Sequence, residues 1–235
     1  MTNFMRIGYF EHWSRPVWSF IEFLEEQGYA PEKIDYSQKS YLEKYDIALI
    51  EQNGFNDFIE NDELYIREWV SRGGILLFMH QDYKRWAPYF LPDTLGNTML
   101  IKRHIDTVYI KRPYKNYMMP WMENRSLFNY PEKITPDEMI GWKIQVNTFR
   151  LLSHRHNGKN ESDTVETAAL SCFIAPNEKW EILGSYMDPA VKDGALVLQA
   201  KYGRGLYFLN QILVPEVLDE NSGRCLDFWK NICAI

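Results

Sequence analysis

Short uninterrupted apolar runs are the main pattern in the first third of the chain. Residues 5–10, 46–50 and 75–79 form such runs, and polar residues follow each of them directly. A strand with one solvent-facing side alternates apolar and polar residues, whereas a continuously apolar strand is covered on both faces. We therefore predict three buried strands here, with a short additional strand at residues 33–36.

Two helices are predicted between these strands. Apolar residues recur at helical spacing over residues 17–24, where Pro16 suits the first turn and Gly28 can close the helix in left-handed geometry. A second helix is predicted over residues 63–72, with Asp62 as its N-cap and a Gly-Gly pair at its end. The resulting order β–α–β–β–α–β, with strands covered on both faces, predicts a parallel sheet flanked by helices.

Extended chain dominates the second half. Strands are predicted at residues 99–110, 168–174, 180–186, 195–201 and 206–212, an aromatic-rich excursion at 114–130, an exposed loop at 157–163 and a short helix at 226–232. Gly203-Arg204-Gly205 is predicted to be a tight hairpin turn, because it lacks the strand–loop–helix context of a phosphate-binding loop. No linker or repeat interrupts the sequence, so residues 1–235 are predicted to form a single elaborated domain.

Composition and charge exclude several classes of protein. Hydrophobic residues make up 46% of the chain and charged residues 25%, which is ordinary globular composition. The 26 Lys and Arg against 32 Asp and Glu give a net charge of −6, so the cation surplus of a non-specific nucleic-acid binder is missing. No apolar stretch comes close to the length of about 20 residues that is needed to cross a bilayer. No signal peptide is visible. We expect a cytoplasmic protein with neither nucleic acid nor membrane as a partner.

Polar residues collect directly after the three predicted strands. The tripeptides are Glu11-His12-Trp13, Glu51-Gln52-Asn53 and His80-Gln81-Asp82. An open α/β sheet binds its ligands beyond the carboxyl ends of its strands. If the three strands are adjacent and parallel, these tripeptides line one site; otherwise they are the polar residues that follow strands in any soluble protein. The predicted ligand-binding residues are Glu11, His12, Trp13, Gln52, Asn53, His80, Gln81 and Asp82.

The segment from the second helix to His80 carries a family resemblance. The succession of helix, Gly73-Gly74, apolar strand and His80 resembles the nucleophile-turn region of the class I glutamine amidotransferase-like fold, including its ThuA-like branch. Residues 126–142 and 188–209 are similar to a signature of amidotransferase-like domains fused to bacterial PIG-L-type sugar deacetylases. The resemblance implies a flavodoxin-like α/β fold of the class I glutamine amidotransferase-like type, with β insertions in the second half.

One departure from that family decides the expected chemistry. Active class I glutaminases carry a cysteine nucleophile, flanked by glycines, in the turn where this chain has Met79-His80-Gln81. Imidazole cannot replace the thiolate that attacks the amide. The three cysteines, Cys172, Cys225 and Cys233, do not follow a predicted parallel strand at a sharp turn. We therefore predict that the chain is not a glutaminase.

Other polar and aromatic groups give weaker signals. His154 and His156 are spaced to share a metal ion on one face of a strand, and His104 or Asp106 could fold in as a further ligand. No third ligand is near in sequence, so an exposed loop is favoured and neither a metal nor another cofactor is predicted. The basic residues Arg103, Lys111, Arg112 and Lys115 form either an anion site or a solvated face. The remaining group is aromatic, and it forms either a sugar-stacking platform or a core or subunit interface: Tyr109, Tyr114, Tyr117, Trp121, Phe128 and Tyr130.

Three functions agree with these observations. The first is an amidotransferase-like domain without glutaminase activity that binds a small polar ligand, carbohydrate-related, at the strand ends. The second is a hydrolase or isomerase of a sugar derivative, with His80 as general acid or base and Glu11 or Asp82 as its partner. The third is a structural or oligomerisation module that contacts a second copy or a partner enzyme through its aromatic surface. We favour the first, in which the chain binds without catalysing a reaction.

Overall fold

The structure is a computed structural model. It describes residues 5–11, 20–26, 28–51, 62–79, 81, 90–96, 98–104, 129–130, 133–134, 143–144, 146–149, 167–185, 195–213 and 230–232. Within these ranges the helices are α1 (Phe20–Glu26), α2 (Glu63–Ser71) and a 3-10 turn at Asp93–Leu95. The described part of the predicted last helix, residues 230–232, is helical.

Twelve strands lie in the described part of the chain. In chain order they are β1 (Ile7–Tyr9), β2 (Glu32–Lys33), β3 (Ile47–Ile50), β4 (Ile75–Met79), β5 (Met99–His104), β6 (Lys143–Ile144), β7 (Val146–Phe149), β8 (Thr167–Ile174), β9 (Glu181–Ser185), β10 (Ala195–Tyr202), β11 (Gly205–Asn210) and β12 (Ile212–Leu213).

The main sheet has a parallel half and an antiparallel half. Its order is β2-β1-β3-β4-β11-β10-β8-β5, with β7 also beside β8 and β9 beside β10, while β12 pairs with β6 separately. The first five strands in this order are mutually parallel. Numbered by their succession in the chain, these five follow the order 2-1-3-4-5, which is the flavodoxin-like arrangement. This confirms the predicted fold class, with its β additions in the second half.

Burial explains why the sequences of the central strands are almost continuously apolar. Every residue of β3 and β11 is buried, and so are four of the five residues of β4. Ile75 of β4 pairs with Ile47 on one side and with Leu206 on the other, so β4 lies inside the sheet. Helix α2 buries Ile66, Trp69 and Val70 in the core. Its close packing requires Gly74, because a Cβ there would lie 2.5 Å from the Trp69 ring.

Both helices end in the same glycine motif. Gly28 has φ 85°, and the amides of Gly28 and Tyr29 donate to the carbonyls of Glu25 and Leu24 at the end of α1. Gly73, with φ 126°, ends α2 in the same way. The predicted ends are therefore confirmed.

The predicted capping role of Asp62 is wrong in its detail. Asp62 occupies the N-cap position of α2, but its side chain makes no capping hydrogen bond. Its Oδ2 accepts a hydrogen bond of 2.8 Å from the Tyr41 hydroxyl instead. A partner from a distant loop therefore replaces the local one.

The antiparallel half begins with the predicted hairpin. Strands β10 and β11 pair from Val197–Asn210 to Tyr202–Gly205, which leaves Gly203 and Arg204 as the turn. Strands β8 and β9 then pair antiparallel with β10, and β5 and β7 with β8. The 157–163 loop and most of the 114–130 excursion lie outside the described residues. Among the helices that the structure describes, none is long and apolar enough to cross a membrane.

Candidate functional site

The carboxyl ends of β1, β3, β4 and β11 meet at one edge of the sheet. These strands are adjacent and parallel, which was the condition for the polar tripeptides to share a site. Strand β1 lies between β2 and β3 in the sheet. The chain passes from β1 to β2 on one side and then returns to β3 on the other side of β1. Such a change of direction is the topological switch point at which open α/β sheets bind ligands. Glu11 and Glu51 follow the two strands that flank it.

Glu11 is an exposed polar group at this switch point. Its carboxylate pairs with the Lys33 ammonium at 2.7 Å, and 57% of its side chain is accessible. Its backbone amide donates a 3.2 Å hydrogen bond to the Tyr36 hydroxyl. The hydrogen bond to Glu11 is the largest cause that raises the pKa of Lys33. Glu11 is therefore held in place by β2 and the turn after it, yet it remains within reach of a ligand.

Glu51 is the buried carboxylate on the other side of the switch point. It is 2% exposed. Its Oε1 accepts a 3.1 Å hydrogen bond from the backbone amide of Ile21, in the first turn of α1. A carboxylate is electrostatically favoured beside the amides at the start of a helix. The protein's own carboxylate thus takes up an amide that would otherwise be available to an anion.

Gln81 is buried and ties two strand ends together. It is 5% exposed, and its Nε2 donates to Ile50 O at 3.0 Å and to Met79 O at 2.9 Å. These carbonyls belong to the last residues of β3 and β4. Gln81 therefore lies at the predicted carboxyl edge, and its side-chain NH₂ group donates both of its hydrogen bonds to backbone carbonyls.

Gln211 and Asn210 are residues of this edge that sequence reasoning missed. Gln211 Oε1 accepts from the Gln81 amide at 2.7 Å, and Gln211 Nε2 donates to Gln81 O at 3.0 Å. Asn210 Nδ2 donates a hydrogen bond of 3.8 Å to the Met79 sulfur, which is a weak acceptor. Both are fully buried. A signal was present, since this polar pair follows an apolar run just as the three tripeptides do.

Of the eight predicted ligand-binding residues, Glu11 and Gln81 are described. His12, Trp13, Gln52, Asn53, His80 and Asp82 lie outside the described residues. The pairing of His80 with Glu11 or Asp82 is therefore still a prediction. The backbone on the carboxyl side of position 80 is nevertheless fixed, because Gln211 bonds both the amide and the carbonyl of Gln81.

The secondary candidates fall mostly outside the described residues. Outside the described residues are His154, His156, Lys111, Arg112, Lys115 and the aromatic set except Tyr130. Arg103 lies in β5. Tyr130 is 66% exposed. Within the part of the chain that the structure describes, no cluster of three or more His, Cys, Asp or Glu residues could hold a metal. Cys172 lies within β8 opposite Ile101, away from the parallel strands.

Comparison with solved structures supports the fold. A cytoplasmic protein from Salmonella typhimurium matches with a TM-score of 0.55 and 14% identity, over 98% of each chain. A cold-adapted β-galactosidase from Rahnella sp. R3 matches at TM-score 0.45 and 11% identity. This chain spans about a third of that enzyme, since the match covers 98% of this chain and 31% of the β-galactosidase. A putative GMP synthase component from Thermoplasma acidophilum matches at TM-score 0.41 and 13% identity, over 98% of this chain and 94% of that one.

The first match shows a shared fold, and no more than the fold at this identity. We draw no conclusion from the other two, because their TM-scores lie below 0.5. No protein-family model matches this sequence. No curated protein matches it either.

Proposed function

We infer that this chain is an amidotransferase-like domain without glutaminase activity that binds a small, uncharged polar ligand at the carboxyl edge of its parallel strands. The observation that carries this proposal is the switch point between β1 and β3, where Glu11 stands accessible and anchored. The buried amides of Gln81 and Gln211 give this edge a fixed base. Among the described residues, a hydrogen-bonded base of buried amides with the exposed Glu11 carboxylate beside it suits the recognition of hydroxyl groups.

The charges at this edge favour a ligand without negative charge. Glu11 and Glu51 are both carboxylates, and the cation described beside them, Lys33, already pairs with Glu11. An anionic ligand would approach an edge where the described residues are two carboxylates and one lysine, which costs more than a neutral ligand does. We therefore expect free saccharides to bind better than their phosphates.

The carbohydrate class comes from the resemblance to ThuA-like domains and to domains fused with sugar deacetylases. Sugar hydroxyls donate hydrogen bonds, which carboxylate and amide oxygens can accept. The family assignment is part of the proposal, because the structural match supports the fold alone.

A thermal-shift screen of mono- and disaccharides and their phosphates tests this proposal. A saccharide at about 100 times its Kd should raise the melting temperature of the wild type by about 5–10 °C. Glu11→Gln should weaken binding about tenfold, as expected for a lost charge-assisted hydrogen bond. The exposed Glu178→Gln, between β8 and β9, is the matched control and should bind like the wild type. Equal shifts in wild type, Glu11→Gln and His80→Ala would contradict the proposed site.

The same samples separate the alternative functions. Conversion of a bound saccharide that is lost in His80→Ala would establish the hydrolase or isomerase instead. A self-associating chain that no saccharide shifts would support the structural module. Incubation with glutamine should release no ammonia above a buffer control, because His80 replaces the nucleophile. Ammonia release would contradict the loss of glutaminase activity.

A further inference from the structure

A cavity lies at the edge of the sheet opposite to the proposed site, where β1, β2 and β3 begin. Its volume is about 650 Å³, and Met5, Arg6, Tyr29 and Lys44 are among its lining residues. This volume is within the range of small-molecule sites, about 300–1,000 Å³. The cavity is separated from Glu11 by the length of β1, so it is distinct from the site proposed above.

One part of the lining is apolar. Met5, Ile7, Tyr29, Ala30 and Tyr45 contribute to it. Met5 leaves 43% of its surface accessible, which makes it one of the exposed large hydrophobic residues among those described. An apolar group of a ligand placed against these side chains would remove this surface from water.

The other part of the lining is rich in cations. Arg6, Lys44 and Lys230 are in it, against Glu32 as its described acid. Glu32 accepts from Lys44 at 2.9 Å, and Arg6 holds Asp46 through two nitrogens at 3.3 Å each. A guanidinium has five N–H donors and an ammonium three, so both cations keep donors beyond these pairs. Each pair also holds its cation in a defined position.

The end of α1 is the main opposing effect. A helix end is negative and repels anions. Here Gly28 N and Tyr29 N already donate to the last carbonyls of α1, at 3.0 and 2.9 Å. These bonds occupy two of the carbonyls, those of Glu25 and Leu24, that would otherwise face an anion. The hydrogen bond to Asp46 raises the pKa of Arg6, and the hydrogen bonds to Tyr45 and then Glu32 raise the pKa of Lys44, so both cations stay charged near neutral pH.

We propose that this cavity binds a small anion that carries an apolar group, such as an aromatic carboxylate or phosphate monoester. The cations hold the anionic group, while Met5 and Tyr29 contact the apolar one. The site does not depend on the function proposed for the carboxyl edge, and the two can be tested separately in one protein.

Calorimetric titration of the full chain with phenyl phosphate tests the proposal. Inorganic phosphate and benzyl alcohol carry one half of the probe each, and each should bind at least about tenfold more weakly. Lys44→Gln should weaken phenyl phosphate binding about tenfold or more, because it removes a cation and leaves Glu32 facing the anion. Ala30→Trp should abolish binding by filling the apolar part. Lys201→Gln, an exposed lysine at the end of β10, is the matched control and should bind like the wild type.

Three results would overturn the proposal. The first is that phenyl phosphate does not bind to the wild type. The second is that Lys44→Gln and Ala30→Trp bind phenyl phosphate as tightly as the wild type does. The third is that inorganic phosphate binds as tightly as phenyl phosphate. Melting curves confirm that each variant is folded. Saccharide binding should be the same in Lys44→Gln as in the wild type, so failure at one edge is distinguishable from failure at the other.

Discussion

Side-chain amides replace backbone pairing beyond the ends of the central strands. Gln211 donates to and accepts from the backbone of Gln81, as a strand residue would. Gln81 in turn donates to the last carbonyls of β3 and β4. Buried backbone groups need such partners, because burial without them is costly. Two glutamines therefore close the hydrogen bonding of three adjacent strands.

Replacing Gln211 with leucine should destabilise the fold. Gln211→Leu keeps the approximate volume but leaves the amide and the carbonyl of Gln81 without these partners. Each unsatisfied buried group costs about 1–3 kcal/mol, so we expect a loss of about 2–5 kcal/mol in the free energy of unfolding, measured by urea denaturation. Gln38→Leu is the matched control, since Gln38 is exposed and bonds only weakly to Asp35 at 3.4 Å. Equal losses in the two variants would show that the amide contacts contribute nothing.

The sequence was sufficient to predict some edge residues but not this contact. Glu11 and Gln81 could be predicted because each follows a continuous apolar strand. Gln211 also follows an apolar run, but its contact with Gln81, 130 residues away in the chain, could not be predicted, because it depends on β11 pairing in parallel with β4. Sequence patterns report local burial, whereas the partner of a strand is decided by the whole sheet.

At the scale of elements, the turn between β10 and β11 closes the end of α2. Arg204 N donates to Ser71 O at 2.8 Å, and the Arg204 guanidinium donates to Arg72 O at 2.7 Å. A Cβ on Gly205 would lie 2.0 Å from Val70 O and 2.3 Å from Gly74 O. The hairpin was predictable from its glycines, but the reason for Gly205 is this close approach to a helix end.

Two Gly→Ala variants separate close approach from backbone conformation. Gly205→Ala places a methyl group against backbone that cannot move aside easily, and overpacking of this kind costs about 1–3 kcal/mol or more. Gly28→Ala meets nothing within 4 Å but keeps φ at +85°, so it should cost about 1–2 kcal/mol from strain alone. In the double variant Gly205→Ala with Arg204→Ala, the loss should grow further, because the carbonyl of Arg72, at the C-cap of α2, loses its guanidinium donor. Thermal and urea unfolding measure all three, and a neutral Gly205→Ala would refute the close approach.

At the scale of the whole molecule, the two ends of the parallel strands differ in charge. Among the described residues, the carboxyl edge has Glu11 and the buried Glu51 with Lys33, and the amino edge has Arg6 and Lys44 with Asp46 and Glu32. Net charge, at −6, does not reveal this separation. It follows from which residues precede and which follow each strand, once the strands are known to be parallel.

The acidic partners at the amino edge make the fold sensitive to acid. The hydrogen bond from Lys44 is the largest cause that lowers the pKa of Glu32. For Asp46, burial acts to raise the pKa, but the hydrogen bonds and charge of Arg6 outweigh it and the net change is downward. A carboxyl with a lowered pKa binds fewer protons in the folded state than in the unfolded state. Its stabilisation is therefore complete above its unfolded pKa, about 4, and is lost as the pH falls through the folded pKa.

The free energy of unfolding should therefore fall as the pH is lowered from about 5 to about 2. The double variant Glu32→Gln with Asp46→Asn should show a shallower fall, because these two groups no longer take up protons on unfolding. Both side chains are partly exposed, so high salt should also weaken the pairs and reduce the difference between the two proteins. Urea unfolding at a series of pH values, in low and high salt, measures this. Identical pH profiles for the wild type and the double variant in low salt would mean that acid acts on carboxylates elsewhere in the chain, and that the ion pairs at the start of β1 and β3 do not link protonation to folding.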